Sequence, residues 1–377
     1  MTEKKRFANI ELLRCLAMVM VIVMHFLRES GSLLTSGTEL LSARGVLATA
    51  MESFCIVAVN TYVFISGYYG AKSRFKPSKV VAFWSRVWFY ALIIPLVLFF
   101  FGVPTATDGM GIYGLMQYLL PISSEHYWFA STYIYLLLLM PLLNRGMKAM
   151  SSRQSAVVIA ILLFFFSVIK SIVPISLAFD RYGYDLSWFV CVYLVALWLG
   201  LHGGALETWL KQRCGKLYVG SSLLIFVMTL GLWLIIPSFG GISYYFTVPF
   251  HYNFVLCLIG AIGLFYIFDK ITLKEGKVVD IIRTLGKYSF GVYLLHEHVD
   301  MRHLWYPALT AWMKSFAGDG LVTFVAELLF CVVILFVMGI LVDFLREKFY
   351  VMAVKAMQST ILVKKIEQLD ELFEKEL

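Results

Sequence analysis

Arg14 and His25 stand eleven positions apart inside the first apolar stretch of the chain, about residues 8 to 27. An ionisable side chain at that depth costs roughly 3 kcal/mol or more in hydrocarbon, so its presence points to a role. Eleven residues make slightly more than three helical turns, which puts both side chains on nearly one face, about 16 Å apart along the axis. Glu11, three residues before Arg14, shares that face. The stripe offers a fixed cation able to hold an anion such as a phosphate. Higher up it offers an imidazole of ordinary pKa near about 6.5, able to take a proton from a hydroxyl. Glu11 and Arg14 also fit a plain i to i+3 ion pair between helices.

The elements that must carry this stripe are membrane helices. The chain has 377 residues, of which 60% are hydrophobic, 16% aromatic and 15% charged. With a mean hydropathy of +0.80 this is the profile of an all-α polytopic membrane protein. Ten stretches are long enough, or nearly so, to cross a hydrocarbon core: about 8 to 27, 45 to 70, 80 to 103, 127 to 143, 155 to 176, 185 to 202, 217 to 238, 248 to 268, 284 to 299 and 321 to 343. Residues 1–345 then form one ten-helix membrane domain and 346–377 a cytoplasmic tail. Lys4, Lys5 and Arg6 precede a run that contains Arg14 and is followed by no small-residue cleavage site, so it reads as a retained helix rather than a signal peptide. Lys and Arg gather on alternate loops, which places both termini in the cytoplasm. The net charge of +8 is therefore a topology signal, not a nucleic-acid footprint.

Threading that topology sorts the polar residues by depth. Arg14, Arg74, Lys79 and Arg86 fall near the inner face, with Ser66 and Gly67 low in the second stretch. Asn60 lies near the middle and Glu52 near the outer third. His25, His126, His251, His296, His298 and His303 gather at the outer face, with Glu297 among them. The arrangement suits transfer from a cytoplasmic anion to an external acceptor, with Glu52 or Glu297 orienting the imidazole. Ordinary alternatives stand beside it: outer histidines as interfacial hydrogen-bonding residues, Lys72 to Arg86 as the positive-inside signal, and Tyr244, Tyr245, Phe246, Phe250 and Tyr252 as an interfacial belt or a sugar-stacking platform. No metal is expected, since the histidines lack ligand spacing, and the six cysteines read as small core residues. After residue 345, Ile361, Leu362, Ile366, Leu369, Leu372 and Phe373 recur at helical spacing, predicting an amphipathic helix on the inner membrane surface, against a partner, or merely solvated.

Four ordered motifs resemble the acyltransferase-3 family of membrane acyltransferases, which modify cell-envelope polysaccharides and lipids. NIELLRCLAMVMVIVMHF carries an acid, an Arg, ten residues and a His, here Glu11, Arg14 and His25. VNTYVFISGYYG resembles the second-helix motif, with Asn60 where many members have Asp and with the Ser66–Gly67 pair. HYWFASTYIYLLLLMPLLN, containing His126 and Trp128, and LGKYSFGVYLLHEH, containing Tyr293, His296 and Glu297, resemble two further segments.

The resemblance implies ten transmembrane helices in a bacterial plasma membrane, cytoplasmic acyl-CoA (most naturally acetyl-CoA) as co-substrate, and transfer to a hydroxyl of an external polysaccharide or lipid-linked glycan. It carries catalysis onto His25 and an essential ordering role onto Arg14. Two departures are visible. Where relatives often have paired arginines after the second helix, this chain has Lys79 and Arg86, and no hydrolase-like domain is expected after the last helix. A homo-oligomer or an envelope-synthesis partner fits equally. A glycan or lipid exporter whose buried ions relay protons is the rival function, and a non-enzymatic partner of envelope synthesis a third.

Overall fold

Apolar runs of this length, with few internal prolines or glycines, satisfy their backbone groups most simply as helices. The structure, a computed structural model, describes residues 6–34, 41–70, 74–178, 180–235, 243–318 and 320–375. In chain order the α-helices are α1 (Ala8–Glu29), α2 (Ala43–Cys55), α3 (Ala58–Gly70), α4 (Pro77–Phe100), α5 (Gly111–Leu119), α6 (Trp128–Ala149), α7 (Ser152–Leu163) and α8 (Ile169–Ile172). They continue with α9 (Leu186–His202), α10 (Gly204–Ile235), α11 (Val255–Asp269), α12 (Lys277–His296), α13 (Trp305–Ala317), α14 (Leu321–Ala356) and α15 (Ile361–Lys375). No strand occurs among the described residues.

Among the described residues, seven helical spans are long and apolar enough to cross a membrane: Ala8–Glu29, Ala43–Gly70, Pro77–Phe100, Ser152–Ile172, Gly204–Ile235, Tyr244–Asp269 and Leu321–Ala356. The shorter α9 is apolar as well. The other two of the ten expected crossings, α6 and α12, are helical but too polar to count by apolarity. Asn144, Arg145 and Lys148 crowd the end of α6, and α12 carries Arg283, Lys287 and Ser289. A helix enclosed by other helices can be polar where one facing lipid cannot, and α12 is enclosed.

Several boundaries shift from those read in the sequence. The second stretch breaks at Ile56–Val57 into α2 and α3. The eighth is α-helical only from Val255, after two short 3-10 turns, the second beginning around Pro249. α14 does not stop at residue 345 but runs to Ala356, since no glycine or proline interrupts residues 340–356.

At the centre, α12 lies between α1 and α14. The approach is close: a Cβ on Gly286 would sit 2.4 Å from Glu11 Oε2, and one on Gly339 2.4 Å from Val292 Cα. Around this trio α3 packs on α9, and α10 on α11. Phe99, Phe100 and Val322 face outward, as lipid-facing side chains do. α15 folds back on α4. Asp370 accepts from the backbone N–H of Ser78 at 2.9 Å and from its hydroxyl, capping α4 from a position 292 residues away.

Candidate active site

α1 runs the full depth of the bundle and carries Arg14 near one end and His25 near the other. At the Arg14 end, Arg14 Nη1 donates to Glu11 Oε1 at 2.6 Å, and Arg6 approaches the same carboxylate at 3.4 Å. The ion pair expected from spacing therefore exists, yet Arg14 also faces open space. Together with Ser66, Arg74 and Lys79 it lines a cavity of about 460 Å³. Ser66 shares a hydrogen bond of 2.8 Å with the Tyr133 hydroxyl across that space. A second cavity of about 180 Å³ adjoins, lined by Arg14, Ser66, Arg86 and Lys287.

Arg86 is differently employed from the sequence reading. Its Nε donates to Asp343 Oδ1 at 2.9 Å and its Nη2 to Asp343 Oδ2, a paired grip that ties α4 to α14. Arg346 holds the same carboxylate at 2.9 Å. Asp343 is fully buried, and a carboxylate so placed requires its cations. Arg86 therefore shapes the cavity wall first, while Arg14, Arg74 and Lys79 are among the cations that line the larger space.

At the other end the end of α12 meets α1. His296 Nδ1 lies 2.5 Å from the carbonyl of Val292, which can only accept, so that nitrogen carries a proton. His296 Nε2 is then the acceptor facing His25 Nδ1 at 2.8 Å. His25 Nδ1 must donate, and Glu297 Oε2 stands 3.1 Å from it as well. These assignments leave His25 Nε2 with a free lone pair, the form a general base requires. Glu297 is held in turn by Arg28 at 3.2 Å. Of the two acids expected as orienter, Glu297 occupies the place. Glu52 is buried nearby on α2 with its Oε2 unpartnered among the described residues.

His25 borders a cavity of about 20 Å³ walled by Met18, Val21, Val59, Trp128, Tyr252 and Tyr293. Tyr62, Phe129 and Phe290 wall both this cavity and the 180 Å³ one beneath it. Three spaces that share lining residues thus lie in series between Arg14 and His25. The upper part is walled by aromatic and aliphatic side chains, unlike the cation-lined lower space. A hydrophobic wall there leaves the imidazole in a dry setting, where fixed dipoles act more strongly.

The remaining candidates divide. Trp128 stacks on Tyr252, ring centroids 5.6 Å apart, and Tyr293 presents a buried hydroxyl with no hydrogen-bond partner among the described residues. Asn60 does not face the cavity. It is fully buried, donating to the Tyr252 carbonyl at 2.7 Å and accepting from Trp188 Nε1 at 2.9 Å, and so fixes the Tyr252 wall. His126 pairs with His298 at 2.9 Å, away from His25. Sequence reasoning missed Arg28, although it stands three residues after His25 on the same helical face, and it missed Phe129 and Phe290, while naming Trp128 and Tyr293 from the same α6 and α12 walls.

His25, His296 and Glu297 also bring three potential metal-ligand atoms within 4.8 Å of one another. Spacing along the chain could not reveal this set, which joins α1 to α12. At 2.8 Å the two imidazoles are spaced as a hydrogen-bonded pair.

A stripe from α1, an imidazole with a carboxylate at its Nδ1 and a cation-lined chamber make an arrangement that can serve group transfer inside a membrane. The family model described as "Acyltransferase domain" matches residues 7–343. The chain belongs to the acyltransferase-3 family. No curated protein and no solved structure matches it. As an acyltransferase-3 protein it is a multi-pass membrane acyltransferase, and both ends of the α1 stripe lie within the matched span.

Proposed function

We propose that this acyltransferase moves a small acyl group, acetyl, from cytoplasmic acyl-CoA to a hydroxyl of an extracytoplasmic glycan or lipid-linked saccharide in a bacterial plasma membrane. The proposal includes ten crossings with both termini in the cytoplasm, which follows the distribution of Lys and Arg. One observation carries the reading: the cation-lined 460 Å³ chamber and the 20 Å³ cavity at His25 lie in series, each sharing lining residues with the 180 Å³ cavity between them. Phosphates rest on Arg14, Arg74 and Lys79. The uncharged arm of the donor follows the Tyr62–Phe129–Phe290 wall, and the acyl group ends beside His25. A space of about 20 Å³ is near the size of one water or methyl group, which favours acetyl over longer chains.

The step then follows from the tautomers. His25 Nε2 takes the proton of the acceptor hydroxyl, whose oxygen forms a bond to the thioester carbon. Negative charge gathers on the former carbonyl oxygen. The Tyr293 hydroxyl, in the wall of the His25 cavity and with no acceptor among the described residues, can donate to it. Collapse breaks the carbon–sulfur bond, and the departing thiolate takes the proton back from His25. Glu297 keeps Nδ1 protonated and offsets the imidazolium charge, and no acyl-enzyme is required.

The test is purified protein in lipid bilayers with acetyl-labelled acetyl-CoA and a panel of envelope glycans. Label is expected on a sugar hydroxyl with wild type and at least about 10³-fold more slowly with His25→Ala. Full activity in that variant, or glycan crossing the bilayer without thioester turnover, overturns the reading.

A further inference from the structure

A fourth space, a chamber, lies at the His25 end, outside the machinery described so far. It measures about 350 Å³ and is lined by Phe165, Phe166, Lys170, Asp180, Asp185 and Asn253 among others. We propose that it binds a second sugar unit of the acceptor, one residue or more along the chain from the hydroxyl that is acylated. This rests on the acyl-transfer reading above and adds to it where the glycan docks.

The chamber is built by an irregularity. Between α7 and α8 the helix widens into a π-helical turn, Phe164–Val168, a feature often found at functional sites. The turn sends Ser167 to the carbonyl of Asn253 at 2.8 Å and delivers Lys170, 1% exposed, against Asp180. The Tyr244 hydroxyl joins them, 3.2 Å from Lys170 Nζ and 3.1 Å from Asp180. An enclosed ion pair gains little stability over apolar packing of equal volume, so the cluster calls for another use.

Its free valences say which. Asn253 Nδ2 donates to Asp180 Oδ1 at 2.9 Å, which fixes the amide orientation and leaves Oδ1 as the free atom. That oxygen is buried and has no hydrogen-bond partner among the described residues. Asp185 adds a second carboxylate, half-buried, at the start of α9. The single cation is taken up by Asp180, so the chamber is rich in acceptors and carries excess negative charge. Such a site takes hydroxyl donors and rejects phosphate. Phe165 and Phe166 supply flat apolar faces for the C–H side of a sugar ring, and the volume falls within the roughly 300–1,000 Å³ of small-molecule pockets.

The chamber also lies beside the reaction centre. Asn253 follows Tyr252, which walls the His25 cavity. Tyr184 and Tyr252 both meet Trp128, at centroid distances of 4.4 and 5.6 Å, forming an aromatic surface between the two spaces. A glycan lying across it reaches both.

The experiment fills the chamber. Ala178→Trp and, independently, Leu177→Trp are introduced from the lining loop, and binding of maltotetraose and N-acetylglucosamine tetramer is measured in His25→Ala protein, where no turnover occurs. Saturable binding, weakened at least tenfold by either tryptophan with unchanged unfolding temperature, is expected. Equal binding with and without the tryptophans, no saturable binding up to millimolar sugar, or displacement by low-millimolar inorganic phosphate overturns the site. Transfer to glycan with an unaltered KM in both tryptophan variants sinks the chamber and leaves the acyl-transfer reading intact. Binding lost in the variants, with no acetyl transfer by wild type, does the reverse.

Discussion

His25 meets His296 at 2.8 Å, and His126 meets His298 at 2.9 Å, so the end of α12 supplies one member to each of two imidazole pairs. A carboxylate stands near each, Asp300 lying 3.5 Å from His298 Nδ1, yet their surroundings differ. The first pair borders a cavity, and its outer partner, Glu297, is a carboxylate 3.1 Å from the nitrogen that must donate. The second lines none of the chambers described. His298 Nδ1 accepts from the backbone of Asp300 at 3.1 Å, and Asp300 is itself occupied by Tyr118 at 2.9 Å and by the N–H of Ala106 at 2.7 Å. One pair is left with a lone pair facing space; the other ties the outer loops together. Burial of a histidine pair is thus no mark of catalysis by itself. An unspent valence beside an opening is.

The contrast is broken most directly by exchange of roles. His25→Ala should lower acyl transfer by about 10³- to 10⁴-fold in a steady-state assay, whereas His126→Asn should change kcat less than about threefold. A large loss from both would dissolve the distinction. Next comes the acid: Glu297→Gln leaves the shape but removes the charge opposite the imidazolium, and should cost about 10²- to 10³-fold in kcat, with little change in the KM for acyl-CoA. Asp300→Asn, the matching change at the other pair, should alter thermal stability instead. Third, the opening can be resized. Val21→Ala enlarges the cavity wall, and the ratio of propionyl to acetyl transfer should rise roughly 10-fold, in line with one methylene at about 1–3 kcal/mol. An unchanged ratio would mean that the acyl group sits elsewhere.

The smallest effect concerns pH. Burial lowers the His126 imidazole from its ordinary value to about 4. The unfolded chain then binds more protons than the folded one between pH 6.5 and about 4. Its contribution to stability is complete above that window and is lost as pH falls through it. Asp300, whose carboxyl is raised by burial, acts in the opposite sense, so the measurement is a difference: the unfolding temperature of wild type should fall more steeply between pH 6.5 and about 4 than that of His126→Asn. Parallel curves would remove His126 as a buried neutral group.

What the sequence disclosed was local. Glu11, Arg14 and His25 share one helix, so their common face follows from 3.6-residue periodicity alone. The helical architecture followed from hydropathy for the same reason. Partners brought together by packing were not legible. His25 and His296 lie 271 residues apart, and Arg86 and Asp343 257. Without those contacts nothing separated Glu297 from Glu52 as orienter, or showed that Arg86 was already engaged. FFFSVIK reads as lipid-facing helix, and a π-helical turn has no compositional signature to give it away. The amphipathic period of the tail was visible, but its destination was not, because a helix face states that it wants a partner without naming one.

That destination, the Asp370 cap on Ser78, has a consequence for biogenesis. Arg74 and Lys79 flank the start of α4, whose first turn is capped by a side chain made 292 residues later. Until α15 has been synthesised, the chamber's rim lacks that anchor. Assembly of the cation-lined space is therefore ordered behind insertion of the helices that precede α15.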